Sequence, residues 1–111
     1  MALVVPLGQG TPFDATAAGT NAGATATQAA PGAGKNHFVT HISGHTDTDS
    51  LIQILDGATI VWQSALDVSV DGISFCFDVG NVAISSNAAA GAKIATSTTD
   101  CHVNISGYTI P

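Results

Sequence analysis

From about residue 24 onward, apolar and polar side chains alternate with a period of two. Ile73, Phe75 and Phe77 fall on one face of Ile73-Ser-Phe-Cys-Phe77. Val103, Ile105 and Gly107 alternate with His102, Asn104 and Ser106. Ile60, Trp62 and Leu66 share a face with Ser64, and Val82 and Ile84 alternate with Ala83 and Ser85. Such alternation marks strands with one buried and one open face. Turn chemistry separates the runs. Asp56-Gly57 divides Leu51–Leu55 from Thr59–Leu66 as a hairpin, Asp71-Gly72 and Gly80-Asn81 mark further turns, and Asn87–Gly91 reads as a small-residue loop. The pattern predicts eight short strands, near 24–29, 36–43, 50–56, 59–66, 72–78, 81–87, 92–97 and 101–109. The expected fold is all-β: an eight-stranded antiparallel jelly-roll-like sandwich.

Residues 1–23 differ. Gly8, Gly10, Pro12, Gly19 and Gly23 punctuate a run of Ala and Thr with no sustained period. The reading is an extended N-terminal arm over 1–23, followed by a β-sandwich domain over 24–111. The apolar side chains of the arm, Leu3, Val4, Val5, Leu7 and Phe13, are unusual for a free linker. They are the expected contacts to a partner.

Composition narrows the function. Charged residues make up 9% of the chain, against roughly a quarter in ordinary soluble domains. Lys35 and Lys93 are the only cations besides histidine, and the formal net charge is −6. Nucleic-acid and anionic-membrane partners, which need clustered cations, are not expected. So sparsely charged a surface suits one covered by copies of itself or by a larger assembly. Met1–Pro6 lacks the basic and long apolar regions of a signal peptide, and no run approaches the ~20 apolar residues of a membrane span. A soluble protein made in a cytoplasm is expected, with Cys76 and Cys101 as reduced core residues; a disulfide between them is the alternative and is not required.

The aspartates read as turn formers: Asp56 and Asp71 each precede Gly, Asp47 and Asp49 lie in a loop, and Asp67, Asp78 and Asp100 sit at strand ends. His37, His41, His45, Asp47 and Asp49 form the densest polar cluster. On a regular strand His37 and His41 point to one side, about 13 Å apart, too far to share an ion. His41, His45, Asp47 and Asp49 converge only if a 43–50 loop folds back, and their spacing matches no zinc or EF-hand pattern. No metal and no cofactor are expected. No Ser lies in Gly-x-Ser-x-Gly, and Gly32-Ala-Gly-Lys35 is followed by Asn36 where a phosphate loop needs Ser or Thr. Cys101 and His102 point to opposite faces, whereas Cys76 and His102 could meet across strands. The chain does not read as an enzyme.

Gly23–Ser43, Leu55-Asp-Gly-Ala-Thr-Ile-Val-Trp62, Gly80-Asn-Val-Ala-Ile-Ser85 and Val103–Ile110 together form a recognisable series. It resembles small structural proteins of tailed bacteriophages, including jelly-roll capsid decoration (cement) proteins, over roughly residues 20–110. The resemblance implies a homotrimer with a fold like that of tumour necrosis factor. It further implies a place on the outer capsid surface of a virion, with N-terminal arms that clamp neighbouring major capsid protein subunits. The alternative is a carbohydrate- or receptor-binding module of a head fibre or tail. Against it, Trp62, Phe75 and Phe77 read as core, which leaves Tyr108 as the one spare ring.

Overall fold

The computed structural model describes residues 10–19, 23–67, 72–95 and 100–111. These form eight strands and no helix: β1 (Thr11–Gly19), β2 (Ala24–Gln28), β3 (Asn36–Thr46), β4 (Ser50–Asp56), β5 (Thr59–Leu66), β6 (Ile73–Ala83), β7 (Ala90–Ala95) and β8 (Cys101–Ile110). Two four-stranded antiparallel sheets face each other, one ordered β1-β8-β3-β6 and the other β2-β7-β4-β5. Strand 1 therefore pairs with 8, 2 with 7, 3 with 6 and 4 with 5. A long antiparallel ribbon rolled around its own core gives this order, which is that of a jelly roll.

Ile42, Ile52, Ile54, Ile84, Ile94, Ile105, Val39 and Val103 fill the core between the sheets. Towards β1 and β2 the filling is small, with Ala24, Ala26, Ala90 and Ala92 buried and Ala15 and Ala17 packed against them. Towards β5 and β6 it is large: Trp62 lies 5.4 Å from Phe77 by ring centroids, and Phe77 5.7 Å from Phe75.

The expected Asp56-Gly57 hairpin forms. Asp56 pairs with Thr59 across the turn, with Gly57 at φ +61°, a conformation that a Cβ disfavours. Asp56 Oδ2 also accepts from the Ser85 backbone (3.0 Å) and hydroxyl (2.5 Å), fastening this hairpin to the β6–β7 connection.

Three expectations are corrected. First, Thr11–Gly19, expected to be part of an arm without a sustained period, is the edge strand β1, paired with β8 along its whole length. Phe13, Ala15 and Ala17 do alternate, but alanine signals burial too faintly for the period to stand out. Second, the expected strands 72–78 and 81–87 merge over Ile73–Ala83 into one strand, β6, and residues 84–87 belong to the β6–β7 connection. Gly80-Asn81 does not reverse the chain; it belongs to a bulge in which Val79–Asn81 face a single residue of β3, with Gly80 at φ +73°. Third, Ile60 does not share a face with Trp62. Trp62 pairs with Ile54 and Ile60 with Leu55, so Val61 is an extra residue that turns Ile60 outward.

Candidate functional site

The bulges decide which polar side chains meet. On β3, Val39 pairs with Gly107 and His41 with Ser106, leaving Thr40 unmatched by β8. The phase reverses there: His37 and Val39 point inward, and so do Ile42 and Thr46, while His41 is exposed. The expectation that His37 and His41 point to one side is therefore overturned. His37 is 1% exposed. Its Nε2 donates to the Ala29 carbonyl (2.7 Å), which can only accept, so in the neutral ring Nδ1 accepts from the Thr109 hydroxyl (2.7 Å). Phe13 lies edge-on to the same ring at 4.9 Å. His37 is a satisfied core histidine.

His41 and His45 lie on the outer face of the first sheet. His41 Nδ1 is 3.0 Å from the Thr40 hydroxyl, and its Nε2 is 3.9 Å from Asp78 across the strands. Asp78 lies within β6 at the bulge, where its Oδ1 accepts from the Gly80 backbone (2.9 Å). His45 sits 3.6 Å from Asp47 and stacks on His102 at 5.9 Å. The turn that joins β3 to β4 is tight. Thr46 and Ser50, both buried, each donate to the Thr48 carbonyl (3.2 and 2.9 Å), and their hydroxyl oxygens lie 3.1 Å apart. Strand β3 thus continues to Thr46, and the longer 43–50 loop that could fold back on the histidines does not exist. Among the described residues, no three His, Cys, Asp or Glu groups are placed to hold a metal ion.

The remaining outer face of this sheet is a lattice of short polar side chains. Asn104 donates to Asp14 and to Thr16 (2.9 Å), spanning β8 and β1. Ser106 lies between Asp14 and His41, and Ser43 between Asn104 and Cys76. The Asp14–Asn104–Thr16 ladder was not expected from the sequence, because it exists only once β1 pairs with β8. Phe38 and Tyr108 stack at 5.4 Å with an interplanar angle of 11°, and the Tyr108 hydroxyl donates to Asn81 (3.1 Å). The ring expected to be spare is thus already engaged on one face and at its hydroxyl.

Of the expected partner contacts, Leu3, Val4, Val5 and Leu7 lie outside the described residues. Phe13 is 9% exposed and faces the core, where it covers Gly107 on β8. It contributes to the sandwich rather than to an outward contact. Cys76 is exposed rather than in the core, and Cys101 is buried. They lie on β6 and β8, which β3 separates. Two strand spacings, about 10 Å, exceed the span of a disulfide. The same separation keeps Cys76 from His102, so that nucleophile–base pair does not form. Gly32–Lys35 is a turn between β2 and β3, with Gly32 and Gly34 at positive φ. A phosphate loop would instead open onto a helix.

No helix among the described residues is long and apolar enough to cross a membrane. No protein-family model matches the chain, and no curated protein matches it either.

Proposed function

We propose that this chain is a structural virion protein: a capsid decoration (cement) protein that forms a homotrimer on the outer head surface and clamps neighbouring major capsid protein subunits. The observation that carries this reading is the jelly roll whose first sheet presents an outer face of short polar side chains. The Asp14–Asn104–Thr16 ladder holds an amide and a hydroxyl in fixed positions, Ser43 and Ser106 lie beside it, and Asp14 and Asp78 are the carboxylates of the four strands. Such a face suits burial against another protein, where each lost charge–water contact would otherwise weaken association. The resemblance of the motif series to those of phage cement proteins supports the same reading.

In this reading the apolar segment Leu3, Val4, Val5 and Leu7 reaches the shell, and Phe13 anchors its base in the sandwich. Each aliphatic side chain fully removed from water contributes about 1.5–3 kcal/mol, while ordering the backbone costs roughly 1–2 kcal/mol per residue. One segment alone binds weakly. Three on one trimer raise avidity by about 10²–10⁴.

The test is co-sedimentation of the purified protein with stripped capsids of its own phage. The full chain should sediment with them, and a variant lacking residues 1–9 should stay in the supernatant while remaining folded by circular dichroism. The truncation must stop before β1, since removing Phe13 attacks the core. Equal binding by both proteins would overturn the clamp, and no binding by the full chain would overturn the reading.

A further inference from the structure

The register of β3 against β8 sets two histidines directly opposite one another. His45 pairs with His102, and both side chains stand on the outer face of the first sheet. Directly opposed residues on antiparallel strands hold their Cβ atoms about 4.5–5.5 Å apart. The two rings lie nearly parallel, with 5.9 Å between centroids and 16° between planes. The cluster visible in the sequence, His37, His41, His45, Asp47 and Asp49, does not contain His102. Only the folded sheet brings it to His45.

Two neighbours shape the surroundings of His45. Asp47 Oδ1 lies 3.6 Å from its Nδ1. A carboxylate beside that nitrogen favours the tautomer with the proton on Nδ1, which leaves the lone pair on Nε2. The same carboxylate–imidazole pairing orients histidines that ligate metals. Beside Nε2 stands Gly72, where a Cβ would come within 3.0 Å of that nitrogen and 2.5 Å of Asp47 Oδ1. A side chain at position 72 would crowd the lone pair, and glycine leaves it room.

We propose that His45 and His102 together bind a divalent transition metal ion that prefers nitrogen ligands, Zn²⁺, Ni²⁺ or Cu²⁺, with water in the remaining positions. Imidazole is the side chain suited to these ions. Metal–nitrogen bonds of about 2.0–2.1 Å bring two ligating nitrogens within roughly 3–4 Å of each other. From the stacked arrangement the rings must therefore tilt together by about 2 Å. The χ2 torsion of histidine lies in a broad well and His102 is exposed, so this reorientation costs little. The pair supplies two protein ligands rather than the four of a structural zinc site, so the ion it holds is exchangeable. His41 has no such partner: Ser106 and Asp78 stand opposite it, and its Nε2 is 3.9 Å from Asp78. His37 is buried with both nitrogens engaged. Two imidazoles on one sheet bind about 100-fold more tightly than one, because the second bond forms within the molecule. The site is independent of the oligomer and the capsid role proposed above.

Isothermal titration calorimetry of nickel chloride into the untagged full chain tests it, with the variants His45→Ala, His102→Ala and, as a control on the same sheet face, His41→Ala. The full chain and H41A should bind one ion per chain with equal affinity. H45A and H102A should each bind about 100-fold more weakly while their circular dichroism stays native. Ni²⁺ should also raise the melting temperature of the full chain and leave that of H102A unchanged, because only the folded chain holds the two rings together. A full chain that binds no more tightly than H102A overturns the proposal. So does binding that H45A or H102A retains in full, or binding that is lost in H41A. One ion for every three chains would overturn it as well, since the pair lies within a single chain.

Discussion

Replacing Phe13 by Ala measures whether the first described strand, β1, belongs to the fold. The ring is 9% exposed, lies edge-on to His37 at 4.9 Å and covers Gly107, its partner on β8. An ideal Cβ at Gly107 would come within 2.9 Å of Phe13 Cζ, so the ring rests almost directly on the glycine backbone. Truncation removes on the order of 150 Å² of buried apolar surface, about 4 kcal/mol at 25 cal/mol per Å². Buried Phe→Ala changes cost roughly 3–5 kcal/mol, and an edge strand that can relax inward favours the low end, about 3 kcal/mol. The assay is urea unfolding followed by Trp62 fluorescence, with wild type and variant at the same protein concentration because subunit association shifts the midpoint. With a slope of about 1.5 kcal/mol per M, the midpoint should fall by about 2 M. A loss below about 0.5 kcal/mol, the usual effect of an exposed site, would refute the placement of Phe13 and return residues 11–19 to a detached arm.

Other perturbations probe different parts of the argument. Gly107→Ala places a Cβ 2.0 Å from the Phe38 carbonyl oxygen, so the variant should lose several kcal/mol or fail to accumulate as soluble protein; a melting temperature within about 2 °C of wild type would contradict this packing. His37→Ala leaves the Ala29 carbonyl and Thr109 hydroxyl without their ring partner, at a cost of about 2–4 kcal/mol in urea unfolding, whereas Thr109→Val should cost about 1 kcal/mol. A thiol reagent such as Ellman's should titrate one cysteine per native chain, Cys76, and the second only after unfolding. Two fast thiols, or none, would contradict the outward placement of Cys76 and the burial of Cys101.

Much of the architecture was legible in the sequence because it depends on neighbours along the chain. The Val103–Ile105 alternation places both side chains in the core, and Asp56-Gly57 makes the hairpin, since a turn needs only its own residues to adopt the required φ. The candidate site was less legible. His37 and His41 were expected on one face; a single unmatched residue, Thr40, separates them onto two. The Leu55–Ile60 row was hidden by the extra residue Val61, and the Asp14–Asn104 ladder by an edge strand whose inward residues are one Phe and two Ala. Bulges leave no unambiguous mark in a period-two pattern, because a one-residue slip looks like an ordinary polar or apolar substitution.

By itself the sequence determined the all-β character, the hairpin at residues 56–59 and the apolar face of β8, because alternation and turn propensity act over two to four residues. Tertiary structure alone decided that Thr11–Gly19 joins the sandwich, that residues 73–83 are one bulged strand, and which histidines face water. Those outcomes turn on strand partners 30 to 100 residues away in the chain, about the reach between Thr11 and Thr109 or between Val39 and Val82. A residue's face is set by the register of its partner strand, and register is a property of the folded sheet rather than of any one segment.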